Sequence, residues 1–176
     1  MKLRHLLAVS IAALASCSAP PPAAPPQSAP APKPVVVRPA LPQTQVGDWT
    51  DWQLAPGDWV YRRDERGSIA LFGPVGQNAT LTLRCDRTRG RIYLAREGAG
   101  TAGRMTVRTS STLKEFAASP TGATPAYIAS EILPTDPILD AMALSRGRIA
   151  IETAGHTPIA IPSWAEITRV VEDCRG

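Results

Sequence analysis

The sequence is poor in the side chains that build most metal sites and nucleophilic active sites. Its 176 residues include two histidines and three cysteines, and His156 is the only histidine beyond residue 5. A zinc site typically needs three or four His, Cys or carboxylate ligands, and a nucleophilic cysteine usually needs a histidine beside it. We therefore expect no metal site, no cofactor and no Cys–His pair. His156 is expected in a turn. Asp136 and Asp140 share a helix face and could bind a cation, but a helix cap and a solvated carboxylate explain them.

The chain also lacks an apolar run long enough to remain in a membrane. Residues 6–14 are almost wholly apolar, but this is about half of the roughly 20 residues that cross a bilayer core. Basic residues precede the run at Lys2 and Arg4, and small residues follow it. That layout is typical of a secretory signal rather than a transmembrane helix, so the sequence predicts an exported protein.

The end of this signal is Leu14-Ala15-Ser16-Cys17, which resembles the bacterial lipobox at all four positions. The resemblance implies cleavage before Cys17 and the attachment of acyl chains to its sulfur and nitrogen. Several chains together anchor a protein durably in a membrane. Ser18 stands where the inner-membrane retention signal of that class has Asp, which favours the outer membrane, facing the periplasm. The alternative is an ordinary cleaved signal that happens to contain a cysteine.

Residues 18–45 have a different composition from the rest of the chain. Ten of them are proline, and most of the others are Ala, Gln or Ser. Such a segment cannot bury a core, and it favours extended, disordered conformations. We therefore divide the chain into a signal peptide at 1–16, a lipidated cysteine and linker at 17–45, and one globular domain at 46–176.

The basic excess of the chain does not belong to this domain. The formal net charge is +4, but residues 46–176 contain fifteen basic and fifteen acidic side chains. A neutral domain is not expected to bind nucleic acid, which proteins recognise with clustered positive charge. Positive charge is concentrated only locally, in a segment where Asp86 is the single acidic residue and the arginines are Arg84, Arg87, Arg89, Arg91 and Arg96.

The domain is a series of short segments in which apolar and polar residues alternate, separated by turn residues. This pattern is typical of an antiparallel sheet. The predicted strands are residues 59–63, 68–72, 79–85, 91–96, 104–108, 113–118, 126–132, 148–153 and 157–161. Residues 98–103 match the glycine pattern of dinucleotide sites but precede a strand, so we interpret them as a hairpin turn. The fold class is mainly β, an antiparallel β-sandwich or half-barrel with two short helices.

Helix-start signals occur twice in the second half of the domain. Thr135-Asp136-Pro137 places a cap residue before proline, and this helix is expected to end near Gly147. Ser163 and Glu166 match a capping box that opens a C-terminal helix. One face of that helix is expected to point inward, with residues Trp164, Ile167, Val170, Val171 and Cys174.

The second and third cysteines are expected to pair. Cys85 lies on the inner face of its strand and Cys174 on the inner face of the last helix, and the envelope is oxidising. With Cys17 lipidated, they are the two thiols that remain, so we predict a Cys85–Cys174 disulfide. Two buried free thiols are the alternative.

Two surfaces are candidate binding sites. Trp49 and Trp52 precede the first strand and either close one end of the sheet or stack on a sugar or peptide. Arg87, Arg89 and Arg91 lie in one turn, where they form either a solvated hairpin or a patch for an anionic glycan or partner.

One motif points to catalysis. Ser111 and Lys114 fit S-x-x-K, the nucleophile motif of penicillin-binding proteins and related β-lactamases. The Ser-Asp-Asn and Lys-Thr-Gly partner motifs of that class are missing from the sequence, and the domain is about half the size that such a fold needs. An envelope serine hydrolase or acyl-transfer enzyme is therefore the alternative, not the first, hypothesis.

Two segments resemble known groups. Asp136-Pro137-Ile138-Leu139-Asp140-Ala141-Met142-Ala143, with Ser145-Arg146-Gly147-Arg148, resembles a segment of uncharacterised bacterial envelope lipoproteins. Leu81-x-Leu83-x-Cys85 with Ile92-Tyr93-Leu94, and a final helix that ends in cysteine, are similar to invasion-associated locus B-like and type VI secretion-associated small β-rich proteins. The second resemblance implies a secretion-system accessory protein as a further alternative.

Together these features predict a membrane-tethered envelope lipoprotein that acts as a non-enzymatic binding or assembly factor. Its expected partners are the membrane, through the lipid anchor, and either peptidoglycan or an envelope protein.

Overall fold

A computed structural model describes residue 45 and residues 47–176. The predicted signal peptide, the lipidation of Cys17 and the proline-rich linker lie outside these residues. The described chain begins with a 3₁₀ turn, Trp49–Asp51, whose N-cap Asp48 accepts a 2.8 Å hydrogen bond from the Thr50 backbone N–H. Within the described part of the chain, none of the helices has the length and apolar character required to span a membrane.

The strands follow the alternating pattern of the sequence. Buried residues alternate with exposed or half-buried ones in β2 and in most of β3–β5, because successive side chains of a strand point to opposite faces. All nine predicted strands are present, and their bounds are Asp58–Asp64 (β1), Gly67–Gly73 (β2), Leu81–Asp86 (β3), Arg91–Glu97 (β4), Gly103–Arg108 (β5), Leu113–Pro120 (β6), Tyr127–Ile132 (β7), Ile149–Thr153 (β8) and Ile159–Ile161 (β9). Two helices, α1 (Pro137–Ala143) and α2 (Ala165–Arg175), accompany them.

The strands form one antiparallel sheet that curls into a half-barrel. Its order is β1-β2-β3-β4-β7-β6-β5-β8-β9, and every pair of neighbouring strands is antiparallel. The predicted fold class is confirmed in its half-barrel form. Just before β1, Leu54 forms a parallel bridge to Ala160 of β9, so the chain that enters the domain covers part of this edge strand.

The connection between β4 and β5 is not the hairpin turn that we predicted. In the sheet β4 pairs with β7 and β5 pairs with β6 and β8, so residues 98–103 join strands that are not neighbours. A local pattern of glycines marks a break between strands, but it carries no information about which strands pair afterwards.

Helix α2 fills the inner side of β1–β4. Ile167, Val170 and Val171 are almost fully buried in the same core as residues of the sheet, among them Phe72 and Leu83. The prediction was wrong for Trp164, whose residue surface remains 44% exposed. Trp164 is the N-cap of the helix, so its extended backbone does not follow the helical periodicity from which its burial was predicted.

The predicted capping box at the start of α2 is also absent. The N-cap residue is Trp164 and makes no side-chain cap hydrogen bond. Ser163 instead donates from Oγ to the carbonyl oxygens of Met142, at 2.7 Å, and Ala143, at 3.2 Å. These carbonyls belong to the last turn of α1, and the Met142 carbonyl also accepts a 3.3 Å hydrogen bond from the Ser145 backbone N–H. The serine therefore joins the two helices instead of capping one.

Helix α1 begins as predicted and ends earlier. Asp136 is its N-cap and accepts a 3.1 Å hydrogen bond from the Ile138 backbone N–H. The helix stops at Ala143, four residues before Gly147, and beyond its end Ser145 Oγ donates a 2.6 Å hydrogen bond to the Arg148 carbonyl.

Candidate functional site

The turn between β3 and β4, residues 86–91, is built around a buried aspartate. The Asp86 carboxylate accepts hydrogen bonds from the Arg89 backbone N–H at 3.0 Å and from Arg66 Nη2 at 2.6 Å. The hydrogen bond from Arg66, with that from the Arg89 backbone, holds the pKa of Asp86 below its ordinary value. Asp86 is only 3% exposed, and its ionised carboxylate accepts the hydrogen bonds that hold the turn together.

Carboxylates neutralise the arginines on either side of this turn. Arg84 pairs with Asp64 at 2.8 Å, and Arg91 pairs with Glu131 at 2.8 Å. The sequence cluster of five arginines is therefore divided in space, and Arg91 belongs to an ion pair rather than to an open cationic surface.

Arg87 and Arg89 remain on the exposed tip of the turn, which we call the arginine turn. Arg87 donates from Nε to the Asp173 carbonyl oxygen at 3.3 Å, which fastens the turn to the last part of α2. A hydrogen bond with the Tyr93 side chain raises the pKa of Arg89. Among the described residues, neither guanidinium forms an ion pair with a carboxylate within 4.0 Å, so this tip presents two positive charges to solvent.

The cysteines predicted to pair lie immediately behind the arginine turn. The Cys85 and Cys174 sulfurs are 2.10 Å apart and the Cα atoms 5.4 Å apart, which is the separation of a disulfide. A second set of contacts ties β1 to the same part of α2: Asp173 accepts hydrogen bonds from the Tyr61 hydroxyl and from Arg63 Nη2. The turn is thus supported by α2 on its inner side.

Trp49 and Trp52 lie outside the buried core. Both residues are half-buried, and the Trp52 indole donates from Nε1 to the Gly47 carbonyl at 3.3 Å. The Trp52 carbonyl accepts a hydrogen bond from Arg148. The third tryptophan of this segment, Trp59, is in the core, and its indole donates to the Pro162 carbonyl at 2.9 Å.

The Ser111 and Lys114 side chains have separate partners. Lys114 lies on β6 and its Nζ is 2.5 Å from Asp136, the cap of α1. Ser111 lies in the exposed turn before β6, with its hydroxyl 3.4 Å from that of Thr109. In an α-helix, residues three apart share a face, but this segment is a turn that leads into a strand. Ser111 and Lys114 are therefore not aligned on one face as they would be in a helix.

His156 lies in the turn between β8 and β9, as predicted, and against the glycine-rich connection. Its Nδ1 is 3.1 Å from the Ala154 carbonyl, and a side chain at Gly98 would overlap its Nε2. An open groove of about 320 Å³ begins here, lined by residues that include Arg104, Thr106, Glu152, His156 and Pro158. The described residues contain no cluster of three or more metal-ligating side chains.

One residue that the sequence analysis counted only as part of the arginine cluster is buried. Arg96 is 8% exposed, and burial lowers the pKa of its guanidinium. The signal was present in the alternation of Ile92, Leu94 and Arg96, which places all three on the inner face of β4.

No protein-family model, curated protein or solved structure matches the chain.

Proposed function

We propose that the protein is a lipid-anchored component of the bacterial cell envelope whose half-barrel domain binds a partner without catalysing a reaction. The lipobox-like residues 14–17 support the anchor, and Ser18 supports an outer-membrane location facing the periplasm. The proline-rich residues 18–45 would hold the domain away from the membrane, because such segments are extended. The partner best suited to this position is peptidoglycan.

The observation that carries the binding role is the arginine turn. Arg87 and Arg89 face solvent, while the neighbouring Arg84 and Arg91 are neutralised by carboxylates. Peptidoglycan carries carboxylates on its peptides, and guanidinium groups bind carboxylates through paired hydrogen bonds. The backbone of the turn is already fixed by Asp86 and α2, so little conformational entropy is lost when a ligand binds.

Retention on purified peptidoglycan sacculi tests this proposal. The double variant Arg87→Ala/Arg89→Ala is expected to bind about tenfold less, since each exposed charge contact is worth up to about 1 kcal/mol. The matched control is Arg62→Ala/Arg146→Ala, which removes two exposed arginines elsewhere and should bind like the wild type. Retention should fall with added salt, because salt screens exposed charges.

The tryptophans give the same assay a second variant. Trp52→Ala is expected to weaken retention if its ring stacks on the glycan, and its hydrogen bond to Gly47 is local, so the core should persist. Trp164→Ala is the control, because Trp164 is also exposed but lies at the start of α2. Absence of wild-type retention at every salt concentration would overturn the peptidoglycan assignment, and an envelope protein would replace it as the partner.

The anchor is tested separately by fractionation. Cys17→Ala should move the folded domain from the membrane fraction to the soluble envelope fraction, because the acyl chains would be lost. Continued attachment to the membrane would contradict lipidation at this residue.

A further inference from the structure

One guanidinium nitrogen of Arg96, Nη1, and the hydroxyl of Ser130 are buried on the inner face of the half-barrel without a hydrogen-bond partner among the described residues. Arg96 is opposite Ile128 and Leu94 is opposite Ser130 in the pairing of β4 with β7. Arg96 and Ser130 are therefore diagonal neighbours on one face, a separation that a long side chain can span.

The other arginines of limited exposure in the domain have partners, unlike Arg96 Nη1. Arg84 pairs with Asp64 and Arg108 pairs with Glu152 at 3.2 Å, while Arg148 donates to the Trp52 carbonyl. Burying a charge without a partner is strongly unfavourable, because the interior cannot replace its hydration. A buried polar atom without a partner in a folded protein therefore needs an explanation, and a bound group is a common one.

The nearest carboxylate along the chain does not pair with Arg96. Glu97 is the next residue, and successive side chains of a strand point to opposite faces. Its carboxylate accepts a 2.8 Å hydrogen bond from Asn78 Nδ2. The residues directly opposite Arg96 on the neighbouring strands are apolar: Leu81 of β3 and Ile128 of β7 are both almost fully buried.

The glycine-rich connection covers this end of the inner face. A Cβ at Gly100 would be 2.8 Å from Ile128 Cδ1 and 3.4 Å from His156 Cε1. The connection therefore lies directly on the neighbour of Arg96, with His156 on its other side. Gly98 has φ +144°, a backbone conformation that other residues avoid, and Gly100 lets the backbone approach Ile128 closely.

We infer that Arg96 and Ser130 form a binding site for a small carboxylate-bearing ligand under the connection of residues 98–103. A carboxylate accepts hydrogen bonds from both a guanidinium and a hydroxyl. Its single charge matches the single charge of Arg96, whereas a doubly charged phosphate would remain half uncompensated among Leu81 and Ile128. This site is separate from the arginine turn, and the inference does not depend on the proposed function.

Thermal unfolding of the full-length protein tests the site with simple probes. Sodium butyrate and sodium acetate are added at one ionic strength, with sodium chloride and sodium phosphate as reference salts. A carboxylate at about ten times its dissociation constant should raise the Tm by about 5 °C above the chloride value. Equal effects of butyrate, acetate and chloride would overturn the inference, and a rise with phosphate alone would overturn the assignment to a carboxylate.

Substitutions test whether the rise in Tm caused by carboxylates comes from binding at Arg96. Arg96→Met should abolish the rise caused by carboxylates while leaving the Tm in chloride unchanged or higher, because an apolar chain replaces an unpaired buried charge. Arg62→Met, which removes an exposed arginine from β1, should keep the rise. A rise retained in Arg96→Met would contradict the inference.

Two milder variants maintain the test if Arg96→Met does not fold. Arg96→Lys keeps the charge but lacks the two-pronged guanidinium, and Ser130→Ala removes only the hydroxyl. Each is expected to reduce the rise at least twofold relative to the wild type. A full rise in both variants would overturn the assignment of these two residues.

Discussion

Arg87 donates a hydrogen bond from Nε to the carbonyl oxygen of Asp173, across 86 positions of sequence and 3.3 Å of space. Asp173 directly precedes Cys174, whose sulfur lies at disulfide distance from Cys85. The exposed turn between β3 and β4 and the last turn of α2 are therefore a single structural unit. A change in either the helix or the cysteine pair should therefore alter the structure of the arginine turn.

The cysteine pair is expected to be oxidised and to stabilise the domain. Closing a loop of 89 residues contributes up to about 4 kcal/mol in the chain-entropy model. Urea unfolding of the Cys17→Ala protein with and without reductant measures this difference. Thiol alkylation under denaturing, non-reducing conditions checks the bond itself, and labelling of both Cys85 and Cys174 would contradict it.

Ser163→Ala is expected to lower the free energy of unfolding by about 1 kcal/mol, because the Ala143 carbonyl loses its donor and the Met142 carbonyl keeps only the Ser145 backbone N–H. Glu166→Gln should cost no more than a few tenths of a kcal/mol, from a weaker interaction with the helix dipole.

The two substitutions also form a double-mutant cycle. Since Ser163 contacts α1 rather than the first turn of α2, their effects on chemical denaturation should be additive within about 0.5 kcal/mol. A coupling energy above that value would indicate the capping box that the sequence predicted.

Acid should destabilise the domain through Asp86. Its folded-state pKa lies below the value of about 3.9 expected in the unfolded chain. The ionised carboxylate therefore stabilises the fold above pH 4, and this contribution is lost as the pH falls through the folded pKa. Asp86→Asn should lower the Tm at neutral pH and flatten its dependence between pH 5 and 2. Asp58→Asn, a change at an exposed carboxylate of β1, serves as control and should retain the wild-type slope.

Serine-reactive probes and fluorescent penicillin are expected to leave Ser111 unlabelled. Lys114 is paired with Asp136, so it is not positioned to accept a proton from the Ser111 hydroxyl. Labelling is read on a gel of the purified protein, with Ser110→Ala as the control for general serine reactivity. Labelling that disappears in Ser111→Ala would replace the binding hypothesis with a hydrolase.

The sequence predicted the local structure of the domain better than its long-range connections. Strand positions followed from alternation, as in β3, where Leu81, Leu83 and Cys85 are fully buried. The start of α1 followed from Asp136 and Pro137, because capping depends on neighbouring residues. The pairing of β4 with β7 could not be predicted from the sequence, because no local signal indicates which of several similar strands will be adjacent.

The candidate site was predictable only in part for the same reason. The exposed positions of Arg87 and Arg89 follow from their place in a turn. The neutralisation of Arg84 and Arg91 depends on Asp64 and Glu131, which lie 20 and 40 residues away in sequence. The choice of Ser163 between capping α2 and joining α1 depends on the proximity of the two helices, which only the folded chain defines.

The position of α2 has a consequence for how the domain completes its core. This helix follows every strand in the chain, yet Ile167, Val170 and Val171 complete the core that β1–β4 begin. A chain shortened before residue 165 would leave the inner side of these strands uncovered and Cys85 without its partner. The core is therefore complete only when α2, the last element of the described chain, has docked on the sheet.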